Sequence, residues 1–547
     1  MQDMKLEPQK TKASDGAVKR VWNGLGLFNV YFVMKFVLAT LGYLNLDFLY
    51  NALLMAALLV PVNGRALRVT RQCVGWVAAI ALVYAESWLP GIESILANKN
   101  AIAGFSATYV VQLVWDFINL QMVGWGLLAV LVYYLARPLV RVTVFTVGYF
   151  LFMVAMPWID ALTPEPAGDE VSVTAQSDAP QSAKGAVADT NTINEWYKAF
   201  IEYEKDRRAN LPDGLAAKDT AFDILLLNIC SLSNDDLIAS GLESHPVFSR
   251  FNVRFDRFNS ATAYSGPATL RLLNAACGQP EHNALYDGRR PECEILNRLG
   301  TLGYKQHLLM DHKGEYDNYL QTLRDKAGLT APLESNRAFP VRYMAFDDDP
   351  ISDDLAVMRH WRRSMQREKS RRNVTLMNFI ALHDGNRLPR HSRWEPFKPR
   401  AKRLLDDLNT FLTELERSGR KVMVVVVPEH GAAVRGDKIQ APRLRDIPSM
   451  RITEVPVMVK FVGLKGLPEE TIHVTGNTSY LALSELIGKT LSSNYFGKRG
   501  GSVPLDELVQ DLPQTNLVSE NGQAQVLEYK GRQYLRMNGG DWKPYVK

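Results

Sequence analysis

The stretch Lys421-Val-Met-Val-Val-Val-Val-Pro-Glu-His-Gly431 decides the fold. Val422–Pro428 is a dense apolar run that reads as a strand, and it ends on Glu429-His430. A carboxylate and an imidazole at the end of such a strand are poorly explained by packing, because they are either exposed to no purpose or buried at a cost. Two further strands behave alike: Phe222–Ile229 runs into Cys230 and Val374–Leu382 runs into His383. In an open α/β sheet, ligands gather beyond the carboxyl ends of the strands. Residues far apart in sequence therefore converge on one site. Ser265, in Tyr264-Ser265-Gly266-Pro267, sits where a helix starts. Cys, Glu, His and a hydroxyl together suggest a zinc-activated nucleophile.

Working outward, strands and helices alternate from about residue 193. The pattern predicts helix Trp196–Arg207, strand 222–229, helix Ser265–Ala276, strands 304–310 and 341–346, helix 352–370, strand 374–382, helix 397–418, and strands 421–428 and 455–462. Such alternation implies an α/β domain with a mostly parallel sheet and helices on both faces. Residues 525–536, with Tyr-Lys-Gly-Arg at their centre, read as a hairpin. No Gly-rich dinucleotide or phosphate-loop motif lies near the strand ends.

The 547 residues exceed one ordinary domain. A mean hydropathy of −0.12 hides a division, since residues 27–158 are largely apolar and the rest is not. The net charge of +5 is small for this length and does not point to nucleic acid. Five stretches are read as membrane-spanning helices, which need about 17–25 residues: Leu27–Leu44, Leu46–Val62, Val74–Leu89, Leu120–Ala136 and Val142–Trp158. The first carries Lys35, whose ammonium must face another helix or snorkel. One set of flanks is rich in basic residues, including Lys19, Arg20, Arg65, Arg68, Arg71, Arg137 and Arg141, and the opposite set carries only Lys99. The positive-inside rule places the amino terminus in the cytoplasm and, after five spans, the remainder outside. Residues 91–118 are read either as an amphipathic interfacial segment or as a plain loop. Residues 161–192, poor in large apolar side chains, read as a linker. The expected organisation is a tail over 1–26, an all-α membrane domain over 27–158, a linker over 159–192 and an exported domain over 193–547.

Each candidate residue also has a bland reading. Cys230 taken alone is a buried core thiol. Ser265 is equally an ordinary N-cap. His383 is a ligand, a proton donor or a loop histidine. Arg445, in Leu-Arg-Asp-Ile-Pro, is a phosphate clamp or a surface arginine. The acidic run Asp347-Asp348-Asp349 with Asp353-Asp354 binds calcium or, by default, caps the next helix. The basic stretch from Arg359 to Arg372 is a solvated face or a contact to anionic lipid. Outside the cytoplasm a disulfide persists. Cys277–Cys293 is the natural pair, closing a short loop worth about 3 kcal/mol, and it leaves Cys230 unpaired.

Asn228-Ile-Cys-Ser-Leu-Ser, Asn259-Ser-Ala-Thr-Ala-Tyr-Ser-Gly-Pro-Ala, Leu382-His-Asp-Gly-Asn and Lys421 to Gly431 together resemble the membrane-anchored phosphoethanolamine transferases of the alkaline phosphatase superfamily. Leu444-Arg-Asp-Ile-Pro-Ser and Met537-Asn-Gly-Gly-Asp-Trp extend the likeness, which is closest to the cellulose-modifying branch found in bacterial cellulose secretion systems. The resemblance implies an alkaline-phosphatase-like α/β/α domain in the periplasm, anchored in the inner membrane. It implies zinc held by Cys230, Glu429 and His430, with Ser265 as nucleophile and fourth ligand. It further implies that Tyr264, His383 and Arg445 line the donor pocket and that Cys277 and Cys293 form the family disulfide. The wider superfamily carries an acidic residue at the position of Cys230, threonine at Ser265 and aspartate at Glu429, so this chain fits the cellulose branch better than the lipopolysaccharide-modifying one.

The expected reaction moves phosphoethanolamine from phosphatidylethanolamine to Ser265, then to the 6-hydroxyl of glucose in cellulose, with His383 moving protons. Cellulose synthase subunits and the membrane are the expected partners. The rival readings are transfer to lipid A, a phosphatase or sulfatase of the same fold, and a non-catalytic membrane scaffold for the synthase.

Overall fold

The computed structural model describes residues 24–40, 44, 46–62, 64–87, 120–162, 188–497 and 503–545. The described residues fall into two compact units, an amino-terminal helical one and a larger one from residue 188 onward. Residues 1–23 of the expected tail, the whole of 91–118 and most of the expected linker lie outside the described residues.

Helices occupy all five stretches expected to cross the membrane: Phe28–Thr40, Phe48–Leu59, Arg65–Glu86, Leu120–Ala136 and Val142–Leu162. Among the described residues, Arg65–Glu86 alone has both the length and the hydropathy for a crossing. The second helix is short because Asp47 caps it, accepting from the Tyr50 amide at 3.0 Å. The third starts nine residues earlier than its apolar run suggests, because the basic turn after Gly64 is itself helical. Leu49, Val77, Ile80, Leu127 and Phe145 point outward and are 66–70% exposed. Such outward apolar faces are the reverse of a water-soluble bundle. Lys35 faces its neighbours: its ammonium lies 2.6 Å from Asn51 Oδ1 and 2.7 Å from Glu86 Oε2.

The larger unit is built on a seven-stranded sheet. Its strands in chain order are β1 (Asp223–Ile229), β2 (Val253–Asn259), β3 (Lys305–Met310), β4 (Val341–Met344), β5 (Pro350–Ser352), β6 (Asn373–Phe379), β7 (Val422–Pro428), β8 (Glu454–Val462), β9 (Ile472–Thr478), β10 (Val518–Glu520), β11 (Ala524–Tyr529), β12 (Arg532–Met537) and β13 (Lys543–Pro544). The main sheet has the order β3-β6-β1-β7-β8-β2-β9. All its strands run the same way except β8, which is antiparallel to β7 and β2. The segment expected as strand 341–346 is not in this sheet, because β4 pairs with β5 in a separate ribbon. The expected hairpin is β11–β12, turning through Lys530-Gly531, both at positive φ.

Alternation along the central strands splits their side chains between two buried faces. Ile224, Leu226, Val425 and Val427 pack with the helices Ser265–Leu273, Ile295–Thr301 and Tyr480–Ser492. Leu225, Leu227, Val424 and Val426 pack with Asp354–Arg367 and Phe397–Glu416. The result is an α/β/α sandwich whose parallel strands share one carboxyl edge. Of the acidic run only Asp353 caps the helix, accepting from the Ala356 amide at 3.0 Å, while Asp348 pairs with Arg387 and Asp349 with Lys313. In the basic stretch, Arg359 is paired with Glu414. Cys277 and Cys293 form the disulfide.

Candidate metal centre and its surroundings

Neighbouring strands deliver the first residues. In the parallel pair β1–β7, Ile229 lies opposite Pro428, so Cys230 and Glu429 come next on adjacent chains. The ladder continues past the strand ends: the Cys230 amide bonds Phe379 O at 2.8 Å and the Glu429 amide bonds Ile229 O at 2.8 Å. Ser265 is the first residue of the helix Ser265–Leu273, with no side-chain cap on that helix. Its Oγ lies 3.3 Å from Cys230 Sγ and 3.3 Å from His430 Nε2, and that sulfur lies 3.9 Å from the same nitrogen. Cys230, Glu429 and His430 are all buried, with ligand atoms within 4.8 Å of one another. Among the described residues the other such group, Cys277, Glu292 and Cys293, has both sulfurs tied in the disulfide.

The surroundings fix which atoms face inward. His430 Nδ1 lies 2.8 Å from Gly431 O, so it carries the proton and leaves Nε2 bare. Glu429 Oε1 accepts from Asn378 Nδ2 at 2.6 Å, from Thr269 Oγ1 at 3.0 Å and from Tyr319 OH at 3.3 Å. Its other oxygen, Oε2, is buried with no hydrogen-bond partner. An orphaned carboxylate oxygen beside a bare imidazole nitrogen and a sulfur is costly unless a cation is present. These donors suit tetrahedral zinc, whose structural and catalytic sites use this mixture of sulfur, nitrogen and oxygen.

Burial shifts these groups. It pushes the Cys230 thiol up to about 12, with Glu429 adding to the rise. Burial also raises the Glu429 carboxyl and, with Arg445, holds His430 well below the usual imidazole range. A divalent cation inverts this logic by stabilising thiolate and carboxylate together. The loop after β7 is braced by Asp236, which accepts from the Ala432 amide at 2.6 Å and the Val434 amide at 3.0 Å. Burial pushes the Asp236 carboxyl up to about 6 in spite of these donors. A side chain at Gly431 would place Cβ 2.6 Å from Ser233 Oγ, so only glycine fits there.

The remaining candidates lie around this centre. His383 is four residues beyond the end of β6, not at its tip, because the Asp311 carboxylate accepts the Ile380 amide and draws the chain out of the sheet. Its ring lies 4.8 Å from that of Phe346, tilted by 30°, and its Nδ1 lies 2.8 Å from Asp384 O. Burial and the nearby Arg445 lower its pKa to about 3, so the ring is neutral, and the Nδ1 contact with Asp384 O leaves Nε2 without the proton. Arg400 anchors this loop by donating to Ala381 O and His383 O. Arg445 donates to Ser231 Oγ at 3.1 Å and lies 3.9 Å from Asp384 Oδ2. Tyr264 is 40% exposed and donates to Asp446 Oδ1 at 2.8 Å.

The sequence reading missed the supporting residues. Asn228 and Asn378 lie opposite each other on β1 and β6. A lone Asn near the carboxyl end of each of two apolar strands was the available signal. Thr269, Tyr319, His312 and Asp236 had none, because tertiary packing alone brings them here.

The family profile described as the cellulose biosynthesis protein BcsG C-terminal domain matches residues 177–542, and the one described as its N-terminal domain matches residues 28–156. Cellulose biosynthesis protein BcsG of Salmonella typhimurium is 40% identical over 554 residues, covering 98% of this chain and 99% of that protein. The protein of the same name from Escherichia coli is 40% identical over 560 residues, covering 97% and 98%. Among solved structures, the lipooligosaccharide phosphoethanolamine transferase A of Neisseria meningitidis has a TM-score of 0.41 at 11% identity, over 86% of this chain and 95% of that one. An alkaline phosphatase superfamily protein from Vibrio parahaemolyticus has a TM-score of 0.46 at 12% identity, over 64% of this chain and 87% of that one.

Proposed function

Since the chain belongs to the cellulose biosynthesis protein BcsG family, we propose that it is a zinc-dependent phosphoethanolamine transferase acting on secreted cellulose. The observation that carries this reading is the placement of Ser265 Oγ at 3.3 Å from both Cys230 Sγ and His430 Nε2. Cys230 Sγ, Glu429 Oε2 and His430 Nε2 would hold the metal, with Ser265 Oγ in the fourth position. Bound zinc lowers the pKa of a hydroxyl it touches and offsets phosphoryl charge.

In the first half-reaction Ser265 Oγ forms a bond to the phosphorus of phosphatidylethanolamine. The bond to the diacylglycerol oxygen breaks, and that oxygen ends with the proton that Ser265 gave up. In the second, the 6-hydroxyl of a glucose unit attacks the same phosphorus, and Ser265 recovers a proton as it leaves. His383 Nε2 would accept the hydroxyl proton in that step once the anionic phosphoryl group offsets Arg445, whose charge depresses the ring's basicity. Arg445 supplies positive charge beside the phosphoryl oxygens.

The donor is a lipid and the acceptor emerges from the cell. We therefore assign the helical unit to the inner membrane, with five crossings, a cytoplasmic amino terminus and a periplasmic catalytic unit. The outward apolar side chains and the disulfide support that assignment. Cellulose synthase subunits are the natural assembly partners. Mass spectrometry of protein incubated with phosphatidylethanolamine tests the chemistry: added phosphoethanolamine is expected on Ser265 and absent from Ser265→Ala. Full transfer by Ser265→Ala would discard the covalent route.

A further inference from the structure

A cleft of about 420 Å³ opens beside the candidate metal centre and shares Asp384, Arg400, Ala432 and Val434 with the loops described above. It lies at the same carboxyl edge of the sheet. Its walls come from the carboxyl end of the helix Asn234–Ser240, the loop after β6, the entry to the helix Phe397–Glu416 and the loop after β7. The volume falls in the range of small-molecule sites, roughly 300–1,000 Å³. Asp384 links the two regions, because it lines the cleft and its carboxylate lies 3.9 Å from Arg445.

Four side chains give the cleft its character. Trp394 is half-buried on the wall, and the Arg443 guanidinium lies 4.7 Å over its ring. Glu395 and Lys398 line the same cleft, and the Glu395 carboxylate acts electrostatically on Arg400 beside it. Arg443 has φ of +71° and donates its amide at 2.7 Å to Ala433 O, whose own φ is +53°. Two non-glycine residues held in the left-handed region cost free energy, and such strain concentrates where a side chain must be presented in one place.

Charge decides what fits. A phosphate would meet the carboxylates of Asp384 and Glu395. A free ammonium drawn to Trp394 would meet Arg443 already on that ring. Arg400 also lines the cleft, but its guanidinium is committed to the carbonyls of Ala381, His383 and Glu395, which leaves Lys398 and Arg443 against Asp384 and Glu395, so neither sign is favoured. A neutral ligand rich in hydroxyls satisfies all four groups, because carboxylates accept from hydroxyls, Lys398 and Arg443 donate to them, and the indole packs against C–H faces.

We propose that this cleft is the acceptor subsite and takes a run of β-linked hexopyranose units, with Trp394 as platform and Glu395, Lys398 and Arg443 as hydroxyl ligands. This deepens the transferase reading and rests on it. The bound chain would pass Asp384 and present one primary hydroxyl toward Ser265.

The test is direct binding of cellopentaose to the zinc-loaded full chain in detergent, measured by calorimetry. Trp394→Ala should weaken binding about tenfold, Trp394→Phe should retain most of it, and Glu395→Gln should weaken it several-fold. Thermal unfolding of each variant guards against misfolding, and Glu395→Gln carries the test if Trp394→Ala does not fold. Unchanged affinity in both Trp394→Ala and Glu395→Gln overturns the subsite. Cleavage of phosphatidylethanolamine by the wild type is followed in parallel. Cleavage without cellopentaose binding overturns the subsite and leaves the transferase reading standing. Binding that depends on Trp394, without cleavage, supports the subsite and sinks the transferase reading.

Discussion

Asn378 holds Glu429 in place: its side-chain amide donates to Glu429 Oε1 at 2.6 Å and to Asn228 Oδ1 at 2.8 Å. Its own oxygen lies 2.8 Å from His312 Nε2, and His312 Nδ1 accepts from the Gly314 amide at 3.0 Å. With Nδ1 accepting, Nε2 carries the proton and donates. This relay turns one Glu429 oxygen outward to the protein and the other toward the metal position. Asn378→Ala should weaken zinc binding about 10- to 100-fold, the usual cost of losing such a partner. Competition with a chelating dye measures it, and unchanged affinity would mean that the relay does not orient Glu429.

The same relay makes a prediction about metal removal. His430, Glu429 and Cys230 are each fixed by bonds to the protein chain, so the cradle stands before metal arrives. Chelation should abolish phosphoethanolamine transfer, leave the far-ultraviolet circular dichroism unchanged, and be reversed by added zinc. Loss of helical or strand signal on chelation would show instead that metal builds the site.

A buried carboxyl pair outside the candidate metal-binding residues should contribute to the pH dependence of stability. Burial raises Asp311 well above the usual carboxylate range and raises Asp354 to about 8. Asp353, Asp407 and Arg403 face the pair, and burial likewise raises Asp407 to about 6. The folded state holds the Asp354 proton more tightly than the unfolded chain. Its contribution is therefore complete below the ordinary aspartate range and is lost as pH rises toward 8. Asp354→Asn should remove part of that loss, on the order of a few kcal/mol between pH 4 and 8. Denaturant unfolding across that range reads the difference, and parallel curves for variant and wild type would contradict it.

Lys35 and Glu86 form an ion pair inside the helical unit. Both side chains are almost fully buried and their charges are 2.7 Å apart. Lys35→Ala leaves Glu86 charged and unpaired, which costs about 3–5 kcal/mol. Lys35→Met combined with Glu86→Gln should recover most of it. Thermal unfolding of the detergent-solubilised full chain checks both, and a single variant as stable as the double would show the pair to be idle.

Much of this site was legible in the chain because strand ends are local signals. Val422–Pro428 shows its own burial, and the residues after it must lie at the sheet's edge. The position of Ser265 at a helix start followed from Gly266-Pro267. His383 was placed too close to its strand, since the Asp311 carboxylate that ends β6 at Phe379 comes from another part of the chain. β2, Val-Arg-Phe-Asp-Arg-Phe-Asn, and β9, Ile-His-Val-Thr-Gly-Asn-Thr, were overlooked because polar residues interrupt both. Residues 341–346 looked like a sheet strand because a short, largely apolar run does not record its partner, and β4 pairs with β5 instead. The five amino-terminal helices were legible from hydropathy as helices, but their ends depend on caps such as Asp47.

The most direct test of the central claim is zinc K-edge X-ray absorption on the purified full chain. One zinc per chain is expected, with a single sulfur at about 2.3 Å and nitrogen or oxygen ligands at about 2.0–2.2 Å, and the sulfur shell should vanish in Cys230→Ser. Zinc bound in the wild type with no sulfur neighbour, or no zinc retained at all, would contradict it.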